Sequence, residues 1–309
     1  MMKHSGLVRT LVFVLILGSS AARAELYVTI VQGLGGLPEY AARFDEQRSR
    51  IAGASTTLVG AGFVSVFNAE AATRERLLAH FSTLKDNMQE TDRAAIYLIG
   101  HGSYDGQEYK FNIPGPDLSD ADLETILTSL PGQNHFLLNT SSTSGAYLET
   151  LAKDGRILIT ATRNGNERNA TEFGAFFAEA LASESADINK NENISVQEAF
   201  DYAQRAVTGF YESAGKLATE HPQIRGEGAA RFSLARIGSL PQAKTQDPAL
   251  ARLLEQRLEL DARIEDLQLR RDQLGNEAYL EQFQQLILES ARVSEEIENL
   301  SGEADGLSP

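Results

Sequence analysis

Short apolar runs punctuate the first half of the chain, and each stops at a polar or glycine-bearing turn. Leu26 to Val31 meets Gln32-Gly33-Leu34-Gly35-Gly36, and Gly62 to Phe67 meets Asn68. Ala94 to Ile99 meets Gly100-His101-Gly102, His135-Phe136-Leu137-Leu138 meets Asn139, and Arg156 to Ala161 precedes a polar loop at Arg163 to Asn169. Runs this short, apolar without alternation, predict strands buried on both faces. Between them the apolar positions switch to a three-four spacing. This predicts helices from Pro38 to about Ala52, with Tyr40, Phe44 and Ile51 inward, and from about Ala71 to Met88. Further helices are expected from a Ser119 cap, burying Leu123, Ile126 and Leu127, and over about Ser144 to Ala152, Thr171 to Leu181 and Ser195 to Ser213. Ser103 to Asp117, rich in Gly, Pro, Asp and Asn, reads as a loop, and Phe232 to Ile237 as an edge strand closing the sheet. Alternation at this spacing means an α/β domain, a mostly parallel sheet with helices on both faces.

From Asp247 the pattern changes. Leu250, Leu253, Leu260, Ile264, Leu267 and Leu274 keep a heptad-like spacing, broken at Arg257 and Arg271. After Gly275-Asn276 the spacing resumes with Tyr279, Phe283, Leu286, Val293, Ile297 and Leu300, interrupted at Ser290. This predicts a C-terminal α-helical hairpin, coiled-coil-like, each arm on the order of 35–40 Å long at ~1.5 Å per residue. Its stripes either pack on each other or serve self-association.

The first residues read as a targeting segment. Lys3 and Arg9 are its positive end, Leu11 to Leu17 its apolar stretch and Ala22-Arg23-Ala24 its small-residue cleavage site. The organisation expected is a signal peptide over 1–24, an α/β domain over 25–240, and a linker with the hairpin and a short tail over 241–309. The product would be exported, periplasmic or extracellular, with no membrane span once the leader is removed. Net charge is −15, and losing Lys3, Arg9 and Arg23 takes it to −18. So acidic a chain is a poor partner for nucleic acid or anionic membranes. With no cysteine, it has no disulfide, no thiolate metal site and no thiol nucleophile. A dinucleotide fingerprint fails after Gly33 and Gly35, because Pro38 stands where its third glycine belongs.

The two central strands end in chemistry. Ile96 to Gly102 delivers His101 to a carboxyl end, where open α/β sheets place their sites. The neighbouring Leu137-Leu138 run leads into Thr140-Ser141-Ser142-Thr143-Ser144-Gly145. A His-Gly closing one strand and a nucleophile-Thr-Ser-Gly closing the next resemble the caspase and legumain group of peptidases. The likeness covers roughly residues 26–237, including the loop after Ala161 and Glu220-His221-Pro222-Gln223. It implies a caspase-like sheet, His101 as acid–base, Gly102 N–H as an oxyanion donor, and Ser142 at the nucleophile position. The sequence departs from the pattern in having Ser142 where the family has cysteine and Thr140 where it has an acid. An alkoxide is harder to form than a thiolate, and a serine nucleophile wants a base in contact and a carboxylate behind that base. Asp105 is the only acid nearby in sequence. The expectation is therefore a pseudopeptidase acting in peptide or protein binding or assembly. The alternative is an active endopeptidase using a Ser142/His101 pair.

A second pattern runs from Asp187 to Glu198. Asp187, Asn189, Asn191, Asn193 and Glu198 carry oxygen side chains at EF-hand spacing, with Ile194 at the eighth place, which predicts a weak Ca²⁺ loop. Glu192 departs from it, standing where the turn asks for glycine. The competing reading makes Ser195 and Glu198 a capping box for the next helix. Arg163 either meets an acidic side chain of a bound peptide or pairs with a surface carboxylate of the chain itself. His80, His135 and His221 lack ligand spacing and are expected to pack or sit at the surface.

Overall fold

The structure is a computed structural model describing residues 24–237, 248–269, 271 and 274–305. Residues 1–23 of the leader expected over 1–24, and residues 241–247 of the linker expected from 241, lie outside the described residues.

Strand β1 (Leu26–Gln32) leads into α1 (Pro38–Val59), which starts on Pro38 and stops at Gly60, whose φ of 85° only glycine adopts without strain. The helix runs a further two turns past Ala52 because Ala54, Leu58 and Val59 pack against the core, which outweighs the cost of Gly53. Next come β2 (Val64–Phe67), α2 (Arg74–Asn87) and β3 (Arg93–Ile99). The stretch read as a loop folds into β4 (Gly102–Tyr104), β5 (Tyr109–Phe111) and β6 (Leu118–Ser119), a small antiparallel sheet. Its signal is the alternation of buried Tyr109 and Phe111 about Lys110, too short to stand out among the turn residues. Helix α3 (Asp120–Ser129) begins at a capping box in which Ser119 and Asp122 exchange bonds. After β7 (His135–Asn139) the expected helix is mostly a 3-10 turn followed by the single turn α4 (Leu148–Leu151). The domain continues with β8 (Arg156–Thr160), α5 (Phe173–Ala180), β9 (Asn193–Ser195), α6 (Val196–Ser213), β10 (Gln223–Arg225) and β11 (Ser233–Arg236).

The main sheet has the order β10-β8-β7-β3-β1-β2, parallel throughout except for β10. The edge strand is therefore Gln223–Arg225. Phe232 to Ile237 instead supplies β11, which pairs with β9 in a separate ribbon. A three-residue edge carrying Gln and Arg leaves no apolar run to read, whereas Phe232 and Leu234 did. Successive strand residues feed opposite cores. Ile30, Tyr97, Ile99, Phe136 and Ile159 pack under α1, α5 and α6. Ala94, Ile96, Leu98, Leu137 and Leu158 pack with Leu77 and Phe81 of α2 and Leu123 and Ile126 of α3. No described helix is long and apolar enough to cross a membrane.

Helices α7 (Pro248–Leu269) and α8 (Asn276–Asp305) form the hairpin, and their stripes close on each other. Leu260, Leu267, Tyr279, Leu286 and Val293 make a third core separate from the other two. Ion pairs tie α7 to the domain: Arg236 to Asp261 at 3.0 Å and Arg257 to Glu192 at 3.4 Å.

Candidate functional site

β3 and β7 are parallel neighbours, with Leu98 paired to Asn139. Three residues further along each strand, His101 and Ser142 come out at the same sheet end. What lies between them is set by glycine. A side chain at Gly102 would sit 2.6 Å from Ser141 Oγ, 2.7 Å from Ser142 O and 2.7 Å from Tyr109 Oη. The absence of one lets β4 lie directly on the Ser141-Ser142 turn.

Neither partner is aimed at the other. Ser142 Oγ, buried, donates to Gly102 O at 2.9 Å. His101 Nε2 is 3.1 Å from Gly35 O, and since a carbonyl only accepts, Nε2 carries the proton and Nδ1 the lone pair. The ring is wedged edge-on between Tyr40 and Phe44, with centroids 4.9 and 5.0 Å away. Burial lowers its pKa, the Gly35 carbonyl opposes that, and Arg43 lowers it further, so the imidazole is held neutral. Among the described residues no carboxylate is hydrogen-bonded to it. Arg43 is itself paired to Glu172 at 2.6 Å, and Asp105 caps its own turn, accepting from Gln107 N and Glu108 N at 2.9 Å each.

Beneath the pair lies a buried polar network that the sequence reading missed. Asn139 Nδ2 donates to Tyr109 Oη and Tyr147 Oη, both at 2.8 Å, and its Oδ1 accepts the Ser141 N–H at 3.0 Å. Ser141 Oγ lies 2.6 Å from Tyr109 Oη and 3.1 Å from Ser142 O. Burial drives both phenols far above their usual range, so they act as fixed hydrogen-bonding groups. The one hint in the sequence is an amide closing an apolar strand. Thr143 completes the turn with φ 58°, unusual for a β-branched residue, and its N–H donates to Glu167 O at 2.8 Å.

The rim is polar. Glu167 accepts from Arg163 N at 2.9 Å, His221 N at 3.1 Å and His221 Nδ1 at 2.6 Å. The Arg163 guanidinium is 3.6 Å from Glu167 and mostly exposed, the pairing with a carboxylate of the chain itself. Glu220 is buried and accepts Glu172 N at 2.8 Å and Phe173 N at 3.1 Å, capping α5; burial raises its pKa. Leu34 and Leu37, 43% and 55% exposed, flank the Gly35 carbonyl that holds His101. They leave an apolar lip beside the pair. His80 bonds Thr29 Oγ1 at 2.9 Å, and His135 is buried, so both pack.

The Asp187–Glu198 loop lies apart from this site. Asp187 accepts from Asn191 N at 3.2 Å and Glu192 N at 3.0 Å; Asn189 and Asn191 accept from Asn191 N and Asn193 N. Lys190 and Glu192 take φ of 61° and 63°, so Glu192 adopts the backbone expected of glycine. Glu198 accepts from Ile188, Asn189 and Ser195, and the Ser195–Glu198 capping box is formed. Among the described residues no group of three or more His, Cys, Asp or Glu side chains is placed to hold a metal ion. A cation here would depend on the asparagine oxygens.

No protein-family model matches the chain, and no curated protein matches it. Among solved structures it is similar to protein GSU0716 from Geobacter sulfurreducens, at 13% identity and a TM-score of 0.48, over 69% of this chain and 97% of that one. It is also similar to caspase-1 from Spodoptera frugiperda, at 12% identity and a TM-score of 0.42, over 70% of this chain and 92% of that one.

Proposed function

We propose that this is an exported protein with a caspase-like domain that binds peptide or protein segments at the His101–Ser142 strand ends without cleaving them. The observation that carries this reading is the separate anchoring of the two side chains. Ser142 Oγ gives its proton to a backbone carbonyl, which cannot remove it, and His101 spends Nε2 on Gly35 O. Without a carboxylate behind the imidazole, only the Gly35 carbonyl supports the imidazolium that a serine attack would create. The chain has no cysteine to take over the attack. The apolar lip at Leu34 and Leu37 supports binding of a peptide segment there. The alternative is a Ser142/His101 endopeptidase, with Gly102 N–H helping to hold the oxyanion. A serine-reactive fluorophosphonate separates the two. We expect no adduct at Ser142 by mass spectrometry, whereas an adduct that disappears in His101→Ala would establish the alternative.

A subordinate reading concerns the Asp187 loop. Glu192 supplies the positive φ that its missing glycine would have given, which favours a weak Ca²⁺ site using Asp187, Asn189, Asn191, Asn193 and Glu198. A melting temperature that rises in millimolar Ca²⁺ and does not in Asp187→Ala supports it; no rise removes it.

A further inference from the structure

Helix α8 carries two apolar stripes, and the hairpin uses only one. Tyr279, Phe283, Leu286, Val293 and Ile297 face α7. Leu280, Ile287 and Leu288 do not, and are 53%, 43% and 52% exposed. They are three of the nine large apolar side chains exposed among the described residues, and they fall on one stretch of one helix. Scattered exposed leucines need no explanation, but a cluster at i, i+7 and i+8 is one helix side, with exposed Ala291 continuing it. The charges around this side are mostly negative, exposed Arg292 one turn from Leu288 being the exception. Exposed Glu277, Glu281 and Glu295 border it, and α8 as a whole carries eight carboxylates against the single Arg292.

We propose that this outer side of α8 is a docking surface for a basic amphipathic helix of another protein, with apolar side chains against Leu280, Ile287 and Leu288 and Lys or Arg beside the glutamates. The charge excess selects this occupant. A second copy would bring acidic borders together, where like charges repel, whereas a cationic helix satisfies stripe and border at once. The inner seam is already filled, so docking needs no opening of the hairpin. This inference is independent of what occurs at His101 and Ser142.

The test uses the whole protein and two labelled peptides of about five helical turns, one of leucine and lysine, the other with glutamate replacing every lysine. Fluorescence anisotropy should show binding of the lysine peptide, weakening with salt, and none of the glutamate peptide. Leu280→Gln/Ile287→Gln/Leu288→Gln should lose about tenfold or more in affinity. Should that variant lose helicity by circular dichroism, Glu277→Lys/Glu281→Lys, at exposed positions, replaces it with the same expected loss. The inference is overturned if the lysine peptide does not bind, if it binds the variants as well as the parent, or if sedimentation shows the protein pairing with itself through the stripe.

Discussion

His135 shows how burial at one residue becomes a property of the fold. Its Nδ1 accepts the Ala94 N–H at 3.1 Å, joining β7 to β3 through a side chain that is 3% exposed. Burial lowers its pKa from 6.5 to about 4, with the Arg156 charge adding to the shift. Below pH 6.5 the unfolded chain binds a proton that the folded chain refuses. Stability from this group is therefore full above about 6.5 and is lost as pH falls toward 4, by on the order of 3 kcal/mol. Denaturant midpoints measured across that window should fall in the parent and fall less in His135→Gln. Gly102 is a steric case. Gly102→Ala places a methyl 2.6–2.7 Å from three polar atoms, one a backbone carbonyl and two hydroxyls held in the buried network, and should cost about 1–3 kcal/mol, read as a lower melting temperature. Glu220→Ala leaves the Glu172 and Phe173 N–H groups at the start of α5 without their acceptor, at a cost of about 1–3 kcal/mol by the same assay.

Elements were legible in the sequence where a continuous apolar run gave them away. The runs at Leu26, Ala94, Leu137 and Ile157 became the four central strands, and the juxtaposition of His101 with Ser142 followed from their adjacency. The order of hydrogen bonds at the site was not legible. Whether Ser142 faces His101 or Gly102 O is decided by how closely β4 lies on the turn, and that depends on Tyr109, Tyr147 and Asn139 meeting from three elements. The sheet edge was misread because Gln223–Arg225 is short and polar, while the more apolar Phe232 to Ile237 belongs to another ribbon. In the hairpin the apolar spacing was legible and its partner was not: the stripes close on each other. Because that core is separate, Leu286→Ala should melt α7 and α8 with little effect on the domain. Circular dichroism should show an early, partial loss of helix ahead of the main transition.

At the scale of the molecule, two cores hold a mostly parallel sheet whose carboxyl end carries a histidine and a serine on neighbouring strands. Each is tied to a backbone carbonyl instead of to the other. The two binding surfaces proposed above, the apolar lip and the outer side of the acidic hairpin, do not depend on bond cleavage. The most direct test is hydrolysis of a fluorogenic peptide library by the purified protein, alongside Ser142→Ala and His101→Ala. No cleavage above the buffer blank is expected from any of the three. Turnover by the parent that both substitutions abolish would contradict the account.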